Sequence, residues 1–80
     1  MSYNVLKYDG IAYLKKKAES DKHKALMSLN LLLSHSAGIG DHSTKDFYDN
    51  LDEAFDTLVD AEDRLEVLSK HYSDIIKQIV

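Results

Sequence analysis

Apolar residues recur at alternating steps of four and three along the C-terminal half of the chain. They are Phe47, Leu51, Ala54, Leu58, Ala61, Leu65, Leu68, Tyr72, Ile75 and Ile79. This spacing is typical of the apolar seam of an amphipathic helix that packs with a coiled-coil-like period. No glycine or proline interrupts residues 45–80, and Ser43 with Asp46 resembles a capping box. The pattern predicts one helix over residues 44–79.

A second apolar series predicts a helix over residues 10–36. Its members are Ile11, Leu14, Ala18, Ala25, Leu29, Leu32 and Ser36. Between Lys15 and Lys24 the helix is polar, and Ala18 is its only apolar residue there. Residues 1–9 form an arm whose conformation the pattern leaves open. Residues 37–43 form a loop, in which two glycines allow the backbone to turn.

Two long helices joined by a short loop predict an all-α, antiparallel helical hairpin, with residues 1–80 as a single domain. Position i of the first helix then faces roughly position 81 − i of the second. Charge is divided between the halves, because residues 1–44 carry a net +2 and residues 45–80 a net −6. We therefore expect the lysines of the first helix to pair with acids of the second. Exposed pairs are worth only about 0–1 kcal/mol each, so they affect register more than stability.

The chain has more apolar surface than one hairpin can bury. Around residues 25–33 the first helix is apolar on nearly all sides, and such a helix has to be buried on all sides. The simplest solution is a homo-oligomer, with a dimer that completes a four-helix bundle. A folded-back N-terminal arm or a different protein could instead cover this surface. The residues expected to mediate self-association are Leu26, Leu29, Leu32, Leu33, Tyr48, Phe55 and Val59.

Composition argues against several functional classes. The net charge is −4 and Arg64 is the only arginine, so we expect no nucleic-acid binding. No apolar run approaches the ~18 residues of a membrane span, and no signal peptide is recognisable. The absence of cysteine excludes disulfides and thiolate sites. We expect a cytoplasmic protein that does not bind a membrane.

The loop is the most distinctive local motif, with the residues Gly38, Ile39, Gly40, Asp41, His42 and Ser43. A glycine-rich loop before a helix could cradle phosphate, but no lysine follows the glycines and acids already occupy this end. We therefore interpret it as a compact turn, closed by Ile39 and capped by Asp41 or Ser43. His35, His42 and Asp41 could meet at a metal, although their spacing matches no known motif.

A row of carboxylates on the second helix invites comparison with all-α nucleotide pyrophosphohydrolases, which hold Mg²⁺ with acids from more than one helix. The row comprises Asp49, Asp52, Glu53, Asp56, Asp60 and Asp63. Here all six lie on one helix, and the other helix offers only Glu19 and Asp21. We interpret the row as a solvated face and predict no catalytic residue, no cofactor and no metal site.

Three segments together carry a resemblance to a known group of proteins. They are the leucine run at 31–33, the loop at 38–43 and the acidic segment at 60–68. Over residues 25–72 the chain resembles small uncharacterised proteins encoded by marine tailed phages. It departs from them at Ser36-Ala37, where their pattern has Pro-Val. The resemblance implies a helical hairpin and a viral source, hence the host cytoplasm, but no mechanism.

Three functional hypotheses follow. The first is a non-enzymatic, self-associating helical protein that acts by protein–protein interaction, as a phage accessory protein. The second is a small metal- or nucleotide-binding all-α enzyme that uses the loop or the acidic row. The third is an acidic protein that imitates DNA and occupies a basic partner.

Overall fold

The computed structural model describes residues 2–34 and 44–79, and these ranges contain helices and no strand. Helix α1 spans Ser2–Ser34, α2 spans Thr44–His71 and the short α3 spans Ser73–Ile76. Helices α1 and α2 pack against each other along their length and run antiparallel. The hairpin measures 58 × 17 × 16 Å.

Alanines at seven-residue intervals form most of the buried core. On α1 the buried side chains are Ile11, Ala18 and Ala25, and on α2 they are Ala54, Ala61 and Leu68. Between the three on α2 lie the half-buried Leu58 and Leu65, as the four-three spacing predicts. Small side chains let two helices approach closely, because interaxial distance depends on the residues at the contact. We call the buried and half-buried residues between α1 and α2 the seam.

The seam on α1 differs from the predicted one at its polar middle. Its members are Tyr8, Ile11, Lys15, Ala18, Lys22, Ala25, Leu29 and Leu32. Leu14 is outside the seam and 43% exposed. The alanines leave two helical rows that could complete the seam, either 14, 21 and 28 or 15, 22 and 29. The structure uses the second row, in which residues 15, 22 and 29 are half-buried. This row contains Leu29 where the first has Ser28, but it also brings two lysines into the seam.

Helix α1 begins earlier than predicted. Residues 2–9 continue the helix, and Gly10 lies inside it. Tyr8 is half-buried at the seam, and its hydroxyl donates a hydrogen bond to the Gln78 carbonyl oxygen at 3.3 Å. Burial of Tyr8 against the end of the hairpin therefore favours helix over a separate arm.

Helix α2 is shorter than predicted and ends at His71. Tyr72, with φ −134° and ψ 34°, departs from helical geometry before α3 begins. The helical hydrogen-bond pattern nevertheless includes Tyr72, because its N–H donates to the Leu68 carbonyl oxygen at 2.8 Å. The predicted loop at 37–43 and its capping roles lie outside the described residues.

One ion pair joins α1 to α2 in the described part of the chain. Lys22 Nζ lies 3.6 Å from Glu62 Oε2, three residues beyond the level that 81 − i gives. The other pairs link residues four apart on one helix, where side chains are neighbours. They are Lys15–Glu19, Lys17–Asp21, Lys45–Asp49 and Arg64–Asp60. The predicted pairing of lysines with acids across the hairpin is thus observed at one position.

Candidate interaction surface

The hairpin has far more surface than a compact protein of its mass. Its accessible area is 6189 Å², whereas a compact 9.1 kDa monomer exposes about 4,900 Å². Its radius of gyration is 17.0 Å, against about 12 Å for a compact chain of this length. A seam built largely of alanine buries little, so most large apolar side chains are left outside it.

A groove identifies which flanks of the two helices lie on the same side of the hairpin. The groove lies near the loop end and is lined by one flank of α1 and one flank of α2. Its lining includes Lys24, Ser28, Leu31, Asn50, Glu53 and Thr57. We call this side the groove face. The opposite flanks must therefore share the other side, where Glu62 also lies as it reaches across to Lys22.

The side opposite the groove face carries a cluster of large apolar side chains near the loop. Helical periodicity places Leu26 and Leu33 there from α1, and Tyr48, Phe55 and Val59 from α2. All five are exposed, by 37% to 61%. We call this cluster the Leu–aromatic face. Exposed apolar side chains grouped on one side make this face a candidate interaction surface, because large apolar patches are rarely left uncovered.

Five of the seven residues predicted to mediate self-association thus lie together on the Leu–aromatic face. The other two, Leu29 and Leu32, are half-buried in the seam and contact α2 of the same chain. Leu29 and Leu32 belong to the apolar series predicted for the first helix, and their burial agrees with that series.

Beyond the Leu–aromatic face, the same side of the hairpin becomes polar at mid-length and apolar again near the termini. The mid-length positions are Glu19 and Glu62, with Lys16 and Glu66 just outside them. Glu19 and Glu62 are paired with Lys15 and Lys22. Lys16 and Glu66 are exposed and form no ion pair within residues 2–34 and 44–79. Near the termini this side carries Val5, which is 56% exposed.

The candidate chemical sites are not brought together in the described structure. The loop residues Gly38–Ser43 and His35 lie outside the described ranges, and with them the His35, His42 and Asp41 metal hypothesis. Within those ranges no group of three or more His, Asp or Glu could hold a metal ion. The acidic row on α2 is exposed along its whole length. Neither long helix, as far as it is described, is apolar enough over a sufficient length to cross a membrane.

Sequence reasoning missed Lys15 and Lys22 as seam residues and Lys16 and Glu66 as exposed neighbours of the apolar face. The seven-residue repeat of Ile11, Ala18 and Ala25 narrows the choice to two rows, and Leu29 is the sequence signal that favours the row through Lys15 and Lys22. Comparisons with protein-family models, curated proteins and solved structures find nothing that matches the chain.

Proposed function

We propose that this chain is a non-enzymatic helical protein that self-associates through its Leu–aromatic face and acts by protein–protein interaction. The observation that carries the proposal is the concentration of five large, exposed apolar side chains on one side of the hairpin near the loop. Dimerisation that covers them completes a four-helix bundle. The resemblance to marine phage proteins makes the role of a phage accessory protein the setting we favour.

The exposed apolar side chains are costly without a partner. Covering apolar surface stabilises by about 25 cal/mol per Å², and the hairpin exposes roughly 1,300 Å² more than a compact monomer of its mass. Small single-core domains are marginally stable even when compact. Association of two hairpins supplies the larger core that the alanine seam does not.

The test compares a variant of the face with a matched variant outside it. Leu26→Glu with Phe55→Glu places two charges on the Leu–aromatic face, and glutamate is a good helix former. We expect light scattering to give a dimer for the wild type, and a monomer or a less helical chain for this variant. The expected wild-type mass is twice 9.1 kDa.

The control is Leu31→Glu with Val67→Glu, which makes the same change of charge at side chains that are 53% and 46% exposed. Both positions lie away from the Leu–aromatic face, and we expect this variant to keep the wild-type mass and helix content. Circular dichroism reports the helix content. A folded wild-type monomer at every concentration, or an unchanged dimer in the Leu26→Glu, Phe55→Glu variant, contradicts the proposal.

A further inference from the structure

We infer that two hairpins associate with their loop ends side by side, so that α1 of each copy packs on α2 of the other. This inference rests on the proposed self-association and adds its geometry. A symmetric dimer formed by one face of the hairpin has two full-length solutions. Loop ends together place α1 on the second copy's α2, whereas loop ends apart place α1 on α1 and α2 on α2.

The area of the face favours an overlap along the whole length. One side of the hairpin is 58 Å long and 17 Å wide, and a stable interface buries about 800 Å² of accessible surface on each partner. An overlap along the whole length uses all of this side, whereas a contact confined to the loop half uses about half of it. In a full-length overlap the dimer also covers the polar middle and the terminal end, including Val5.

The division of charge between the helices selects between the two full-length solutions. Helix α1 carries six lysines and three acids, a net +3, and α2 carries three cations and nine acids, a net −6. With the loop ends together, every helix of the bundle has only oppositely charged neighbours. With the loop ends apart, the two α2 helices lie side by side. Like charges placed next to each other across an interface cost several kcal/mol.

Individual side chains fit the same arrangement. The Lys7–Tyr72 contact and the Lys22–Glu62 pair place position i of α1 level with residues between about 79 − i and 84 − i of α2. With the loop ends together, α1 of one copy has the same axial register against α2 of the second copy as against its own α2. Lys16 then lies close to the level of Glu66 in the second copy, and neither is paired within the described chain. At the loop end, Leu26 lies close to the level of Phe55, and Leu33 lies close to that of Tyr48.

Spin labels on single cysteines distinguish the two solutions, because the natural chain contains no cysteine. Ser34→Cys labels the loop end of α1 and Ser20→Cys, the matched control, labels its middle. Both serines are exposed, point away from the seam and accept the same substitution. Each labelled variant is checked for dimer mass by light scattering. Pulsed electron paramagnetic resonance then measures the distance between the labels of the two copies.

We expect the Ser34 and Ser20 distances to agree within a few ångströms, since loop ends that lie together add no displacement along the bundle. With the loop ends apart, the Ser34 labels would be displaced along the bundle by about 40 Å, at 1.5 Å per residue. A much longer Ser34 distance in a dimer overturns this arrangement and leaves self-association standing. A monomeric mass with no dipolar coupling between spin labels overturns both self-association and this arrangement. A tetrameric mass overturns the bundle of two hairpins.

Discussion

At the scale of single residues, four alanines decide how much the hairpin can bury. Ala18, Ala25, Ala54 and Ala61 are at most 8% exposed, and Ala61 is 1% exposed. An alanine has little apolar surface to remove from water, so a seam of alanines brings helices close without forming a large core. The larger apolar side chains are displaced to the flanks, and this creates the Leu–aromatic face.

Gly10 lies at a position where nothing in the described structure requires a glycine. It lies inside α1, its φ is not positive, and a Cβ added there would meet nothing within 4 Å. Glycine in a helix interior costs about 1 kcal/mol relative to alanine, because it loses more conformational freedom on folding. We expect Gly10→Ala to raise the free energy of unfolding by about 1 kcal/mol in urea denaturation.

The result would also test where α1 begins. If residues 2–9 were a separate arm and the helix began at Gly10, the substitution would have a much smaller effect. Ser20→Ala, at an exposed position in the middle of α1, gives the effect of an ordinary helix-propensity change and should be smaller than that of Gly10→Ala.

At the scale of helices, the two differ in how well their packing could be predicted. The apolar series of α2 is unambiguous, and Leu51 to Leu68 occupy the seam as its spacing indicates. Helix α1 has leucines on all sides near the loop and lysines in the middle. Its sequence therefore did not decide whether residue 14 or residue 15 lies in the seam. Burial of Leu29 and the reach of Lys22 to Glu62 settle that choice, and both depend on contacts with α2.

Apolar periodicity also did not predict where α1 begins and where α2 ends. The four-three spacing continues through Tyr72 to Ile79, yet α2 ends at His71. The spacing reports which side of a helix is apolar and carries no information on a local change of backbone angle. Residues 2–9 are helical, and Tyr8 contacts Gln78, which is 70 residues away in sequence.

Lys22 stands at a seam position that an apolar residue would fill better. Its side chain is 37% exposed, and its one cross-helix ion pair is partly solvated, so the pair contributes little. We expect Lys22→Leu to raise the free energy of unfolding by about 1 kcal/mol, as apolar surface replaces the polar head at the seam. Denaturation in urea measures the change.

Lys24→Leu is the matched control, with the same change of charge and volume at an exposed position on the groove face. It should alter stability by less than about 0.5 kcal/mol. Equal effects of the two substitutions would show that position 22 is not a seam position, and that Lys22 reaches Glu62 from the surface.

At the scale of the whole molecule, folding and association are expected to be coupled. The hairpin is 58 Å long and 16–17 Å thick, so every residue is near the surface and no layer lies deeper than the seam. In the proposed dimer the largest apolar contacts come from the second copy, and stability then depends on protein concentration. The apolar face and the thin seam thus have one physical origin.

The coupling predicts that the thermal midpoint rises with concentration. A tenfold increase changes the free energy of a dimerisation-linked transition by about 1.4 kcal/mol, which corresponds to a rise of roughly 3–5 °C for 160 residues in two copies. Circular dichroism at three concentrations measures the midpoint. Leu31→Glu with Val67→Glu should keep this dependence, whereas Leu26→Glu with Phe55→Glu should show a lower midpoint that does not move. A wild-type midpoint independent of concentration would mean that the hairpin folds alone, and the Leu–aromatic face would then be free for a different protein.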